Sequence, residues 1–371
     1  MLASLPSALT TKVTTLTAVS AALLLGLTAC SGGSTPGSGT SSPATATATS
    51  GSDAPATQDS DNKVVLYSGR DENLVQPILD DFTAETGIEV EVRYDKTAAM
   101  AAQLIEEGDA SPADVFLAQD AGALGAVAKE GVLIPLDQDQ LDPVDAAFRD
   151  NDGRWVGLTG RVRVLAYNED AVSDADLPAT VDELTEEQWK GRVGIAPTNA
   201  SFQTFVTALR LVRGDEAAKT WLTEMAANDP QIREKNGEIM RDVNAGTLDA
   251  GLINHYYLYE LAAEQGVPAE ELAGKLHFFP DGDLGSLVNV SGIGLVGEQP
   301  DGDGAALIEY LLSAQAQTTF AEQTYEYPLV DGVDAPEGLP TLDELDTPDV
   351  NLNDLDDLQT TVTMIQESGL L

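Results

Sequence analysis

The chain has 371 residues, 43% of them hydrophobic, and a formal net charge of −43. That length exceeds one typical core and suggests two lobes, while a field of that sign repels nucleic acid and anionic membrane surfaces. The single cysteine excludes a disulfide within one chain.

Residues 1–29 hold one basic side chain, Lys12, and then an apolar run through Val13, Leu16 and Leu23 to Leu25. The run is too short and too rich in small residues for a good membrane span, and it fits a secretory signal. It ends in Leu27-Thr28-Ala29-Cys30, which resembles a bacterial lipobox, so Cys30 is the expected lipidation site. Residues 30–62, rich in Ser, Thr, Pro and Gly, bury too little surface to offset the entropy of ordering and read as a disordered tether.

From Lys63 the pattern alternates strand and helix. Val64 to Tyr67 reads as a buried strand, Leu74, Ile78, Leu79 and Phe82 as a helix ended by Gly87, and Ile88 to Tyr94 as a second strand. Thr97 is expected to cap a helix through Met100 and Leu104. Asp114 to Ala118 is a third strand, followed by a helix over Leu124 and Val127. This opens a parallel α/β sheet whose ligands collect at the strands' carboxyl ends, here Ser68 to Glu72, Tyr94-Asp95 and Gln119-Asp120.

Arg161 to Tyr167 reads as a long strand crossing between lobes, and Val193 to Ala196 as a buried strand. Pro197-Thr198-Asn199-Ala200-Ser201 then leads into a helix over Phe205, Leu209 and Val212. Its free N–H groups suit an anion, although a plain Asn or Ser cap explains the same residues. Asn254-His255-Tyr256-Tyr257 follows the apolar run Ala250 to Ile253. Paired phenolates suit a hard trivalent cation such as Fe³⁺, which overrides the ordinary phenol pKa of about 10; an amphipathic aromatic cluster is the plainer alternative. His255 points away from its neighbours and is read as structural, as is His277 in a core strand. Leu287 to Val290, with Gly292 and Gly294, is a return strand. The acidic segment from Asp331 carries a stripe of Leu352, Leu355, Leu358, Val362 and Ile365, which predicts docked helices.

Taken together, Val65 to Arg70, Glu85-Thr86-Gly87-Ile88, Ser111 to Phe116, Pro197 to Phe202, Asn254 to Tyr257 and Thr361 to Met364 resemble the ferric-iron-binding, extracytoplasmic solute-binding proteins of bacterial ABC importers. The resemblance implies an α/β, type II-like periplasmic-binding-protein fold, with two lobes joined by crossing hinge strands over a ligand cleft. Lobe I would comprise 63–160 and 287–337, lobe II 161–286, with helices in 338–371 packing back. It implies Fe³⁺ on Tyr256 and Tyr257, and a synergistic carbonate or phosphate on Asn199, Ala200, Ser201, Asn236 and Asn254. Some relatives place histidine and glutamate at Asp71 and Gln119, others tyrosine at Glu72 and Phe202. With those absent, either Asp71 or Glu72 supplies a hard oxygen, or the first lobe gives none and anion or water fills the shell. Arg70 would pair with the anion or with Asp71, or form a structural salt bridge. The implied protein is a monomeric, lipid-anchored binding protein on the outer face of the cell membrane. It would bind iron or a small ferric chelate and serve an ABC permease. A phosphonate- or thiamine-phosphate-binding protein without metal is the alternative. No Gly-x-Ser-x-Gly elbow or phosphate loop points to an enzyme.

Overall fold

The computed structural model describes residues 61–297 and 302–371; the expected signal segment, Cys30 and nearly all of the tether lie outside them. The described chain belongs to one compact unit.

The first half is built of β1 (Lys63–Ser68), α1 (Glu72–Thr86), β2 (Glu89–Tyr94), α2 (Thr97–Glu107), β3 (Val115–Ala118), α3 (Ala121–Lys129), β4 (Leu133–Ile134) and α4 (Gln138–Leu141). The chain then runs through the long strand β5 (Val156–Asn168) into β6 (Val193–Ile195), α5 (Ala200–Arg213), α6 (Asp215–Ala227) and β7 (Gln231–Ile232). α7 (Asn236–Asn244), β8 (Ala250–Asn254), α8 (Tyr256–Gln265) and β9 (Gly274–His277) complete the second half. β10 (Val288–Val296) returns, followed by α9 (Gly302–Leu311), α10 (Ala314–Thr324), β11 (Tyr327–Pro328) and α11 (Leu358–Ser368).

The strands run in the order β2-β1-β3-β10-β5-β8-β6-β7. β1, β2 and β3 are parallel, as are β6, β7 and β8, so each half is a parallel α/β layer. The joint between them is antiparallel. β10 pairs with β3 on one side and with β5 on the other, and β5 pairs with β10 over Val156–Val162 and with β8 over Arg163–Tyr167. Every residue of β5 is buried, as a strand crossing the middle of the molecule must be.

α1 buries Val75, Ile78, Leu79 and Phe82 and stops at Gly87, whose φ of 78° is the left-handed geometry that glycine tolerates at a helix end. Several expectations are corrected. Thr97 does not cap α2; Lys96 takes that place, and the Thr97 hydroxyl donates to the Gly69 carbonyl at 2.9 Å instead. The stripe from Leu352 to Ile365 is not one helical face. Leu352 and Leu355 are buried on a 3-10 turn, and α11 begins afresh at the cap Asp357, whose carboxylate accepts from the Thr360 N–H. His277 ends β9 half-buried, with its Nε2 2.7 Å from the Pro178 carbonyl oxygen, and Val212 is exposed.

Candidate functional site

β8 delivers the chain to His255, and α8 begins at once, so Tyr256 and Tyr257 occupy its first two positions. Their ring centroids lie 4.3 Å apart; Tyr256 is buried and Tyr257 half-buried. Burial first, then the neighbouring Tyr257, pushes the Tyr256 phenol well above its ordinary value. Burial also raises Tyr257, against the opposing pull of Tyr256 and Asn236. Both phenols therefore hold their protons at neutral pH unless a cation takes their place.

His255 anchors this helix start. Its backbone N–H donates to the Val162 carbonyl at 3.0 Å, and its Nδ1 accepts from the Val162 N–H at 3.1 Å. Nε2–H then donates to the Tyr325 carbonyl at 2.7 Å, which fixes the tautomer. Tyr325 adopts φ 55°, left-handed for a non-glycine residue, and turns the chain into Glu326.

The hinge strand supplies two residues that the sequence reading did not assign. Register places Arg161 opposite Asn289 on β10 and Arg163 opposite Asn254 on β8. Both arginines are almost fully buried, and the Nε and Nη2 of each have no hydrogen-bond partner. Arg163 lies over the Phe205 ring at 4.7 Å, and its Nη1 reaches only the Ser201 carbonyl at 3.3 Å. Burial drags its guanidinium down to about 9. These donors face a small polar pocket shared with Asp120, Ser201, Asn254 and Asn289. Arg161 has Glu326 3.9 Å away and Asp120 within reach of its charge, whereas only burial acts on Arg163. Desolvating such a guanidinium costs several kcal/mol, so Arg163 is the unbalanced cation of the pocket.

The structure brings most of the expected anion residues to this place. Asn199 caps α5 by accepting from the Ser201 N–H at 2.9 Å and hydroxyl at 2.7 Å, while Asn236 donates to the Ser201 Oγ at 2.9 Å. The Asn236 Oδ1 is buried and unpartnered. Ala200 and Ser201 line the arginine pocket, with Asn254 beside them.

The first-lobe residues divide. Asp71 and Glu72 are exposed on the wall of a cleft of about 970 Å³, shared with Lys96, Gln119, Asn199 and Lys235. Arg70 does not pair with Asp71. It meets Glu326 at 2.8 Å, both side chains 2% exposed, because a buried cation needs a buried partner. Burial pushes the Glu326 carboxyl up, but Arg70 and then Arg161 outweigh it and hold it below the ordinary range. Glu260, one turn beyond the tyrosines, is half-buried; desolvation and then Glu326 push its carboxyl up to about 7. Among the described residues, no three His, Cys, Asp or Glu side chains converge to hold a metal ion. A metal at this place would need the phenols.

A family model for bacterial extracellular solute-binding proteins matches residues 110–351. The chain belongs to this family. As a solute-binding protein it is 35% identical over 313 residues to the Fe(3+)-binding periplasmic protein of Serratia marcescens, covering 84% of this chain and 91% of that one. Iron-bound HitA from Pseudomonas aeruginosa superposes with a TM-score of 0.77 at 33% identity, over 83% of this chain and 99% of that one. The Trichodesmium protein IdiA (FutA), in complex with iron and citrate ligands, does so with a TM-score of 0.72 at 29% identity, over 83% and 99%. The expected two-lobe α/β binding-protein fold is thus the fold of this solute-binding protein. The arginines had one legible signal: two charges at alternate positions of an otherwise apolar strand.

Proposed function

We propose that this solute-binding protein captures ferric iron outside the cytoplasm and hands it to an ABC permease. The observation that carries the reading is the Tyr256–Tyr257 pair, with ring centroids 4.3 Å apart at a helix start and close enough to Arg161 for its charge to be felt by both phenols. Two phenolates bind Fe³⁺, and a small anion such as carbonate or phosphate completes the shell. Ser201, Asn236 and Asn254 hold that anion, with Asn199 and Ala200 shaping the loop. The orphaned N–H groups of Arg161 and Arg163 supply its counter-charge. Asp71 and Glu72, exposed on the wall of a cleft they share with Asn199, are the first lobe's candidate donors once the lobes close. The lobes are 63–160 with 287–337, and 161–286, with 338–371 packed back; β5 and β10 are the hinge. The family supports a solute-binding role.

Ferric citrate titrated into the purified protein tests this. One equivalent of iron should generate a visible phenolate-to-iron band, and Tyr257→Phe should lose most of it. A Tyr256→Phe/Tyr257→Phe variant that bound iron as tightly as the parent would falsify the assignment. The arginine pocket also fits a phosphonate or thiamine phosphate without metal; that reading predicts tight binding of the organic phosphate and no colour.

Relatives named as periplasmic support an extracytoplasmic location. We propose further that Cys30 is lipidated and anchors a monomer to the outer face of the membrane through the 31–62 segment. Cys30→Ser should move the protein to the soluble fraction with its iron binding intact.

A further inference from the structure

Two phenolates leave a ferric ion with one positive charge unbalanced, and the small anion is already matched by arginines. A centre this buried favours a third anionic donor, because an unbalanced charge in a low-dielectric site is costly. The first lobe offers little: position 119 is a glutamine, and Asp71 and Glu72 stand exposed.

Glu260 is differently placed. It follows Tyr256 by four residues and Tyr257 by three, spacings that put all of them on one side of α8. Its charge is felt by the Tyr257 phenol, and the charges of Arg70 and Asp71 are felt by its own carboxyl. The cations around it are engaged elsewhere, Arg70 with Glu326 and Arg241 with Glu264, each at 2.8 Å. Among the described residues the Glu260 carboxyl takes no hydrogen bond and no ion pair. It is a half-buried hard-oxygen donor with no structural task.

We propose that Glu260 is a direct ligand of the ferric ion, carried on the same helix as the two tyrosines. The inference rests on the ferric reading of the site. It makes α8 the source of three oxygen donors and leaves the first lobe the lesser share of the metal.

The test compares the parent with Glu260→Gln and Glu260→Asp, each loaded with ferric citrate, by visible spectrum and by release of iron to excess EDTA. Circular dichroism melts confirm that each variant folds, and the Asp variant serves if the Gln variant does not. Removing an anionic donor makes the iron more electron-poor. Glu260→Gln should therefore move the phenolate-to-iron band to longer wavelength and release iron about tenfold faster or more. Glu260→Asp, which keeps the charge but shortens the reach, should fall between. An unmoved band in Glu260→Gln overturns the ligand role even if release is faster, since that pattern means charge acting at a distance. A parent with no band defeats the ferric reading itself, and is distinguishable because it needs no variant.

Discussion

His255 is neutral in the folded protein, and that neutrality has a cost in acid. Burial lowers it from 6.5 to about 4, against the raising influence of the Tyr325 carbonyl. A base with a depressed folded value binds fewer protons folded than unfolded. Its contribution is therefore fully present above pH 6.5 and lost as pH falls toward 4, a change of about 3 kcal/mol. Urea melts of the iron-free protein should show that slope between pH 6.5 and 4, and His255→Gln should flatten it. A slope that survives the substitution would assign the acid sensitivity to other groups. At this scale much was legible. The tyrosine pair, the capping Asn199 and the structural role of His255 all lie in one or two short stretches of chain. Glu326 was not, because its partners Arg70, Arg161 and Thr159 come from distant segments that only the fold brings together.

At the scale of the element, β5 decides the site. Its crossing role could be read from the alternation of Arg161 to Tyr167, but the meaning of its arginines could not. Alternate charges on a strand ordinarily mark a solvated face. Here both faces are covered, and Arg161 and Arg163 become buried cations only through their register with Asn289 and Asn254. The hydrophobic stripe near the C-terminus is docked as expected, on a 3-10 turn and α11, but spacing alone does not tell that pair from one continuous face. The arginine argument carries its own check. Arg163→Met keeps the stem over Phe202 and Phe205 and removes an uncompensated charge. The anion-free protein should gain stability, by about 1–4 kcal/mol, while the dependence of iron affinity on added bicarbonate or phosphate weakens. A variant less stable than the parent, with its anion dependence intact, would mean that Arg163 serves packing and not the anion.

At the scale of the molecule, the candidate donors lie on elements from both halves of the chain. Tyr256, Tyr257, Glu260 and the Asn199–Ser201 loop belong to the second half, while Arg70, Asp71 and Glu72 cluster at the carboxyl end of β1. The cleft of about 970 Å³ that contains Asp71, Glu72 and Asn199 is far larger than an iron ion with one small anion requires. Contacts from both walls are gained together only if the walls approach, and β5 and β10, running side by side, can bend without parting the helices from either layer. Ligand then shifts the population toward the closed form by its differential affinity for that form. The Arg70–Glu326 pair and the His255–Tyr325 bond tie both site loops to one C-terminal turn. Small-angle scattering of the purified protein should show a smaller radius of gyration with ferric iron and bicarbonate than without. Tyr256→Phe/Tyr257→Phe should show no contraction under the same conditions. Equal radii for the loaded and empty parent would mean that iron is held on one lobe alone, with α8 supplying the protein donors and the first lobe contributing none.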